Sequence, residues 1–132
     1  MCPQHNVLFE SLTVREHLEL YANFKGVDTV KIQRRVDKMI WEIELSDVQH
    51  QLASTLSGGQ KRKLSVGIAL IGDSKIIMLD EPTSGMDTTT RRRFWEMVKR
   101  YKENRIVILT THYMDEADIL GDRICIMAEG SV

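Results

Sequence analysis

The stretch "KIIMLDEP", residues 75–82, decides the fold of this chain. Its four consecutive apolar residues between Lys75 and Asp80 are too few for a helix and are typical of a strand buried on both faces of a parallel sheet. Ligands of open α/β sheets bind at the carboxyl ends of the strands. An acid there is costly unless it is paired or metal-bound, so we expect Asp80 to hold Mg²⁺ and Glu81 to orient or deprotonate a water.

The pattern continues along the second half of the chain. Helical periodicity over residues 88–103 precedes a second apolar run, residues 105–112, which ends in His112. A strand–helix–strand order predicts a right-handed crossover and a parallel pair, whose polar ends share one edge of the sheet. We expect His112 to contact a terminal phosphate or to steady the attacking water.

A third strand is predicted at residues 123–127, after a short helix over residues 113–120 that stops at Gly121, and a turn follows at residues 129–130. Cys125 lies in this apolar run and is expected to be a core thiol. The two cysteines match neither a disulfide nor a metal spacing, which suits a reducing compartment.

The first half of the chain reads as helical. Thr13 and Glu16 form the pattern of a capping box that opens a helix, which Gly26 closes, and a second helix starts near Asp28. The first helix is expected to bury one face, and the second carries a clear amphipathic stripe. The predicted buried residues are Leu18, Tyr21 and Phe24 in the first helix and Ile32, Val36, Met39, Ile40 and Ile43 in the second.

A polar turn, "LSGGQ", precedes a third predicted helix that ends at Gly72. Glycines allow a close backbone approach, and a helix N-terminus offers unpaired N–H groups and a positive dipole end, so residues 57–60 resemble a seat for a phosphate. We call residues 57–60 the signature turn. The chain nevertheless contains no G-x-x-x-x-G-K-[ST], the loop that usually holds nucleotide phosphates.

The composition excludes several classes. With 132 residues and a net charge of −1, the chain suits one globular domain and offers no basic surface for nucleic acid. The basic run at residues 91–93 is expected to be a solvated helix face. No apolar stretch reaches the roughly 18 residues that span a bilayer, and the start is not a signal peptide. If the domain serves a membrane, the membrane part is expected elsewhere.

Together these segments resemble the nucleotide-binding domain of ATP-binding cassette proteins. Their amino-acid sequences resemble the A subfamily, which is often associated with lipid movement. The matching motifs are Gln4 at the Q-loop, residues 56–60 at the signature motif, Ile76–Asp80 at the Walker B strand, Glu81 at the catalytic glutamate, residues 84–87 at the D-loop and His112 at the switch histidine. The Walker A loop of the family is not among these residues, so the chain is expected to be the C-terminal portion of a cassette.

The resemblance implies an α/β fold with a P-loop NTPase-like parallel sheet core and an inserted all-helical subdomain. Residues 1–132 would form one partial domain, with the Q-loop, helical subdomain and signature helix over about 4–72 and the α/β core over about 73–132. It also implies a site for ATP and Mg²⁺. Glu81 and His112 would be catalytic, Asp80 and Gln4 would hold Mg²⁺, and Gln4, Ser57, Gly58, Gly59, Gln60 and Asp87 would bind ATP.

The resemblance implies an ATP-binding and ATP-hydrolysing motor segment of a transporter, which drives membrane transport of lipids. The expected partners are a second nucleotide-binding domain, paired head-to-tail around ATP, and transmembrane domains at the cytoplasmic face of a membrane. Without Walker A, these residues alone are expected to be inactive.

Three other readings remain open. The chain could be a non-hydrolysing cassette fragment that acts as a nucleotide-dependent interaction module, which the missing Walker A favours. It could be a soluble cassette ATPase that acts on chromosomes or ribosomes, which the near-neutral charge disfavours. Residues 58–60 also spell the Gly-Gly-Gln of peptide-release factors, but that reading leaves Asp80, Glu81 and His112 without a role.

Overall fold

The computed structural model describes residues 1–129. In these residues helices and strands alternate in the second half, and helices dominate the first half. The elements are α1 (Val14–Phe24), α2 (Thr29–Glu42), α3 (Gly58–Leu70), β1 (Ile76–Asp80), α4 (Thr88–Tyr101), β2 (Ile106–Thr110) and α5 (Met114–Leu120), with short 3₁₀ turns at Ser46–Val48 and Ala53–Thr55.

Strands β1 and β2 pair in parallel, with α4 between them in the chain, which confirms the predicted parallel pair. The register sets Asp80 opposite Thr110, so both strands end at one edge. Cys2 adds a parallel bridge to Leu79, through a 2.7 Å bond from its N–H to the carbonyl of Met78. The start of the chain therefore reaches the same sheet as β1. The fold is a mixed helix and strand arrangement with a small parallel sheet.

The prediction that β1 is buried on both faces is wrong for the described residues. Ile77 and Leu79 are each 1% exposed, whereas Ile76 is 58% and Met78 is 44% exposed. Successive side chains of a strand point to opposite faces. Among residues 1–129, the packing covers only the face that carries Ile77 and Leu79.

The predicted third strand is also wrong. Residues 123–127 form no strand in the described part of the chain, and both Ile126 and Met127 are about 70% exposed, at 69% and 71%. Cys125 is exposed as well, so it is not a core thiol. A short apolar run becomes a strand only where a ladder and a packed face receive it, and that condition is not in the run itself. Of the turn predicted at residues 129–130, Gly130 lies outside the described residues.

The predicted helix starts are confirmed. Thr13 accepts from the N–H of Glu16, and Glu16 accepts from the N–H of Thr13 at 2.8 Å, so α1 opens with a full capping box. Asp28 caps α2. None of the described helices is long and apolar enough to cross a bilayer.

The buried stripe of α2 is confirmed, since all five predicted residues are at most 6% exposed. The stripe of α1 is only partly right, because Phe24 is 73% exposed. Steps of three residues turn the helix by about 300°, so two steps carry Phe24 about 120° away from Leu18. Helix α1 instead buries Val14, His17, Leu18 and Ala22.

Helix α3 lies at the centre of the chain and packs against α1 and β1. A Cβ on Gly67 would come within 2.9 Å of Cδ1 of Ile43 and 3.4 Å of Cδ2 of Leu18. This glycine therefore permits the close approach of α3 to the other helices.

Candidate functional site

The polar residues at the carboxyl end of β1 meet two distant parts of the chain. The Glu81 carboxylate accepts a 3.0 Å hydrogen bond from Nε2 of Gln4, and its other oxygen lies 3.3 Å from Nδ1 of His112. Three of the residues singled out by sequence thus converge on one point. His112 is 55% exposed, so the cluster opens to solvent on that side.

Thr110 links this cluster to the sheet. Its hydroxyl donates to Oδ1 of Asp80, and the N–H of Glu81 lies 3.0 Å from the carbonyl oxygen of Thr110. One residue of β2 therefore orients both acids. The sequence signals only a polar strand end at Thr110, because its pairing with Asp80 depends on the register of the sheet.

Glu81 adopts a left-handed backbone, with φ of 44°. This region is unfavourable for a residue with a Cβ, by about 1–3 kcal/mol, and persists only where the surroundings hold it. Here the N–H of Glu81 is bonded to Thr110, and its carbonyl accepts from Arg62 at 2.8 Å. The strained backbone aims the carboxylate away from the strand and towards Gln4 and His112.

The signature turn forms the N-terminus of α3. Ser57 caps the helix by accepting from the N–H of Gln60, while Oε1 of Gln60 accepts from the N–H of Ser57 at 2.8 Å. The Ser57 hydroxyl hydrogen stays available to donate. A Cβ on Gly58 or Gly59 would meet nothing within 4 Å, and Gly58 is exposed, so the turn leaves space for another molecule beside it. The turn fits an oxyanion presented by another molecule.

The signature turn and the Glu81 cluster remain separate within the described residues. The side chains of Ser57 and Gln60 bond only to each other's backbone, and neither contacts Glu81 or His112 by a hydrogen bond. The structure therefore brings Gln4, Glu81 and His112 together, but not the turn.

Asp87 has a structural task. Its Oδ1 accepts 3.0 Å bonds from the N–H groups of Thr89 and Thr90 at the start of α4. The Thr90 hydroxyl, which donates to the same carboxylate, holds the pKa of Asp87 below its ordinary value. The sequence prediction placed Asp87 at the nucleotide, and the structure adds that it caps a helix.

The donor set suits Mg²⁺. The carboxylate of Asp80 and the amide oxygen of Gln4 are hard oxygen donors, the type of group that Mg²⁺ prefers. Residues 1–129 contain no group of three or more His, Cys, Asp or Glu side chains that could hold a metal. Mg²⁺ usually needs only one or two carboxylates and takes its other oxygens from water and phosphates, so these residues fit.

Arg62 is the residue that sequence reasoning missed. It lies on α3, shortly after the signature turn, and is only 3% exposed. An arginine between Lys61 and Lys63 reads as part of a solvated helix face, and no local signal marks it as buried. The structure instead directs its guanidinium at the backbone of residues 3–4 and 80–82.

A family model described as "ABC transporter" matches residues 1–84. The chain belongs to this family. The match contains Gln4, the signature turn and the acids that end β1. The matched family agrees with the resemblance found in the sequence.

The similarity is to the A subfamily. The chain is 54% identical over all 132 residues to human ATP-binding cassette sub-family A member 2. It is 54% identical over 132 residues to mouse Phospholipid-transporting ATPase ABCA3, and 49% identical over 130 residues to human Retinal-specific phospholipid-transporting ATPase ABCA4. The three alignments include 100%, 100% and 98% of this ABC chain. The chain corresponds to only 5%, 8% and 6% of the length of those relatives.

Proposed function

We propose that these residues form the ATP-hydrolysing part of an ABC transporter nucleotide-binding domain. The observation that carries the proposal is the convergence of Gln4 and His112 on the Glu81 carboxylate, beside Asp80 at the carboxyl edge of the sheet. Such an edge is the usual ligand site of α/β sheets. The family membership supplies ATP as the substrate.

In the proposed reaction, Glu81 orients and polarises the attacking water. Gln4 and His112 hold the Glu81 carboxylate in place, and His112 also offers its ring to the terminal phosphate. Positioning and charge neutralisation account for most of the catalysis in phosphoryl transfer, so fixing these groups in advance is what the chain contributes.

Asp80 and Gln4 are the residues that would hold Mg²⁺. The ion neutralises phosphate charge when it is bound. Thr110 keeps the Asp80 carboxylate oriented, since its hydroxyl donates to one of the carboxylate oxygens.

The signature turn would bind the ATP seated on a second nucleotide-binding domain. Its open Gly58 and Gly59 N–H groups, the Ser57 hydroxyl and the dipole of α3 favour an anion from outside. Gln60 would hold the turn in shape, and Asp87 would take part in binding the nucleotide. The separation of the turn from Glu81 supports a role in a neighbouring site.

The wider function follows from the relatives' names. Two of them are called phospholipid-transporting ATPases, and we propose lipid transport for the protein that contains this chain. Its partners would then be transmembrane domains, and the site would lie on the cytoplasmic face of a membrane.

One alternative is a cassette segment that binds nucleotide without hydrolysing it and serves as an interaction module. The sequence feature behind it is that residues 1–132 contain no Walker A lysine. Under the leading proposal, residues 1–132 alone give no ATP turnover, but the protein expressed from the full reading frame that contains them does. We call this the full-reading-frame protein. Under the alternative, neither preparation turns over ATP.

The deciding experiment is phosphate release by the full-reading-frame protein and its Glu81→Gln variant. We expect the variant to lose at least about 100-fold in turnover and to keep ATP binding, because the water loses its polarising group. Glu103→Gln, an exposed site, is the matched control. Near wild-type turnover by Glu81→Gln would overturn the assignment.

A further inference from the structure

Arg62 places a permanent charge where the chain excludes water. The residue is 3% exposed, and none of the ion pairs of the described residues includes it. A buried charge without a counter-ion is strongly unfavourable unless other polar groups compensate it. The arrangement around Arg62 therefore needs an explanation in terms of its hydrogen bonds.

Carbonyl oxygens provide the compensation. Arg62 donates to five of them, and four of the bonds measure between 2.6 and 3.1 Å. The acceptors are the carbonyls of Pro3 and Gln4 in one segment, and of Asp80, Glu81 and Pro82 in the other. One side chain thus fastens together the two segments that carry the Mg²⁺ ligands and the water-polarising acid.

The position of Arg62 on α3 connects these hydrogen bonds to the signature turn. It lies in the second turn of α3, the helix that begins at the signature turn. A helix moves as a stiff unit, so a displacement of the signature turn also moves the guanidinium. The carbonyls that it binds belong to the residues of the chain's own catalytic cluster.

Among these residues, Glu81 has the backbone conformation that depends most on the bond from Arg62. Its left-handed backbone, with φ of 44°, is held at the N–H by Thr110 and at the carbonyl by Arg62. If the bond from Arg62 is lost, the strained peptide can relax, and the carboxylate then moves away from Gln4 and His112.

We propose that Arg62 is a positioning residue that couples the two ATP sites. It connects the seat of the partner's ATP, the signature turn, to Gln4 and Glu81 of this chain's own site. Binding of nucleotide at one site thereby sets the geometry of the other. The inference rests on the proposed function and deepens it.

Lysine cannot replace arginine in this role. A guanidinium directs five N–H donors in a rigid plane, whereas an ammonium has three donors at a single point. Arg62→Lys keeps the charge and most of the packing but cannot reach both segments. Arg62→Met removes all the bonds. Lys63→Met is the matched control, since Lys63 is the next residue of α3 and its side chain bonds, among residues 1–129, only to Glu44, at 2.8 Å.

The experiment uses the full-reading-frame protein and measures kcat, the Kd for ATP and the melting temperature. For Arg62→Lys we expect kcat to fall about 10- to 100-fold, the effect of a misplaced catalytic group, with Kd within about twofold. Lys63→Met should match the wild type. Unchanged kcat in Arg62→Lys overturns the proposal, as does a fall that is matched by Lys63→Met.

Hydrogen exchange separates positioning from general stability. With Glu81→Gln as the background, so that ATP stays intact, ATP should increase the protection of the amides at residues 80–81. Adding Arg62→Lys should abolish that increase while α1 and α2 stay protected. The coupling is overturned if ATP still increases the protection of these amides after Arg62→Lys is added. It is also overturned if ATP gives no increase in the Glu81→Gln protein that retains Arg62.

The two proposals fail in different ways. If the wild type has no turnover, the proposed function fails. If the wild type turns over ATP and Glu81→Gln does not, but Arg62→Lys behaves as Lys63→Met, only the role of Arg62 fails. Arg62→Met can fail to fold, in which case Arg62→Lys decides.

Discussion

Nε2 of Gln4 donates a 3.0 Å hydrogen bond to Oε2 of Glu81, across 77 positions of the chain. The bond is possible because Cys2 pairs with Leu79 at the edge of β1, which carries the start of the chain past the strand end. The amide is directed at the same carboxylate that approaches His112. The residue before the helical half is thereby tied to the acid after β1.

Removing this contact should impair hydrolysis more than binding. For Gln4→Ala in the full-reading-frame protein we expect turnover to fall about 10- to 100-fold, because the Glu81 carboxylate loses its orienting donor. Gln33→Ala is the control, a change to an exposed amide of α2 that bonds to Arg15 and Glu19 of α1 and lies outside the Glu81 cluster. Phosphate release is the measurement, and equal rates for both variants would contradict the role given to Gln4.

Asp87 allows its capping role to be separated from a role at the nucleotide. Asp87→Ala should lower the melting temperature by about 3–6 °C, because the N-terminus of α4 loses its cap. Asp87→Ser keeps a capping oxygen and should restore most of that loss. We expect both variants to have reduced ATP turnover, measured as phosphate release. Full turnover in Asp87→Ser would leave Asp87 with the capping role alone.

Lys25 predicts a pH dependence of stability. Burial, and then the nearby charge of Arg105, lower the pKa of Lys25 from 10.5 to about 8, although its ammonium donates to the carbonyls of Ile68 and Ala69. Between these pKa values the unfolded chain binds more protons than the folded chain. The free energy of unfolding should therefore rise with pH from about 8 to 10.5 and lose this gain as the pH falls back through 8.

The measurement is urea unfolding of wild type and Lys25→Met across this pH window. The difference between the two should change by no more than about 1.4 kcal/mol per pH unit, the limit for one proton. Lys99→Met, at an exposed site, should keep the wild-type slope. A Lys25→Met curve parallel to that of the wild type would show that Lys25 does not carry the effect.

Local patterns predicted much of the fold. The capping box at Thr13, the turn before α3, the stripe of α2 and the run of β1 depend on residues within a few positions of one another. The parallel pairing of β1 with β2 follows from their order and the helix between them. The convergence of Glu81 and His112 at one edge could therefore be anticipated.

The rest depends on tertiary contacts that no local window contains. Residues 123–127 carry the composition of a strand but meet no ladder among the described residues, so Cys125 is exposed. Arg62 reads as a surface residue, because its carbonyl acceptors lie in segments 18 to 59 positions away. The left-handed backbone of Glu81 likewise follows from its partners and not from its own propensity.

The most direct test of the account is the nucleotide that stays bound to the Glu81→Gln variant of the full-reading-frame protein after incubation with ATP and Mg²⁺ and rapid gel filtration. The account predicts that intact ATP is retained, because the seat formed with the signature turn closes while hydrolysis is blocked. Adding Ser57→Arg should release it, since the larger cation fills the seat. Recovery of ADP from Glu81→Gln, or equal ATP retention with Ser57→Arg added, would contradict the account.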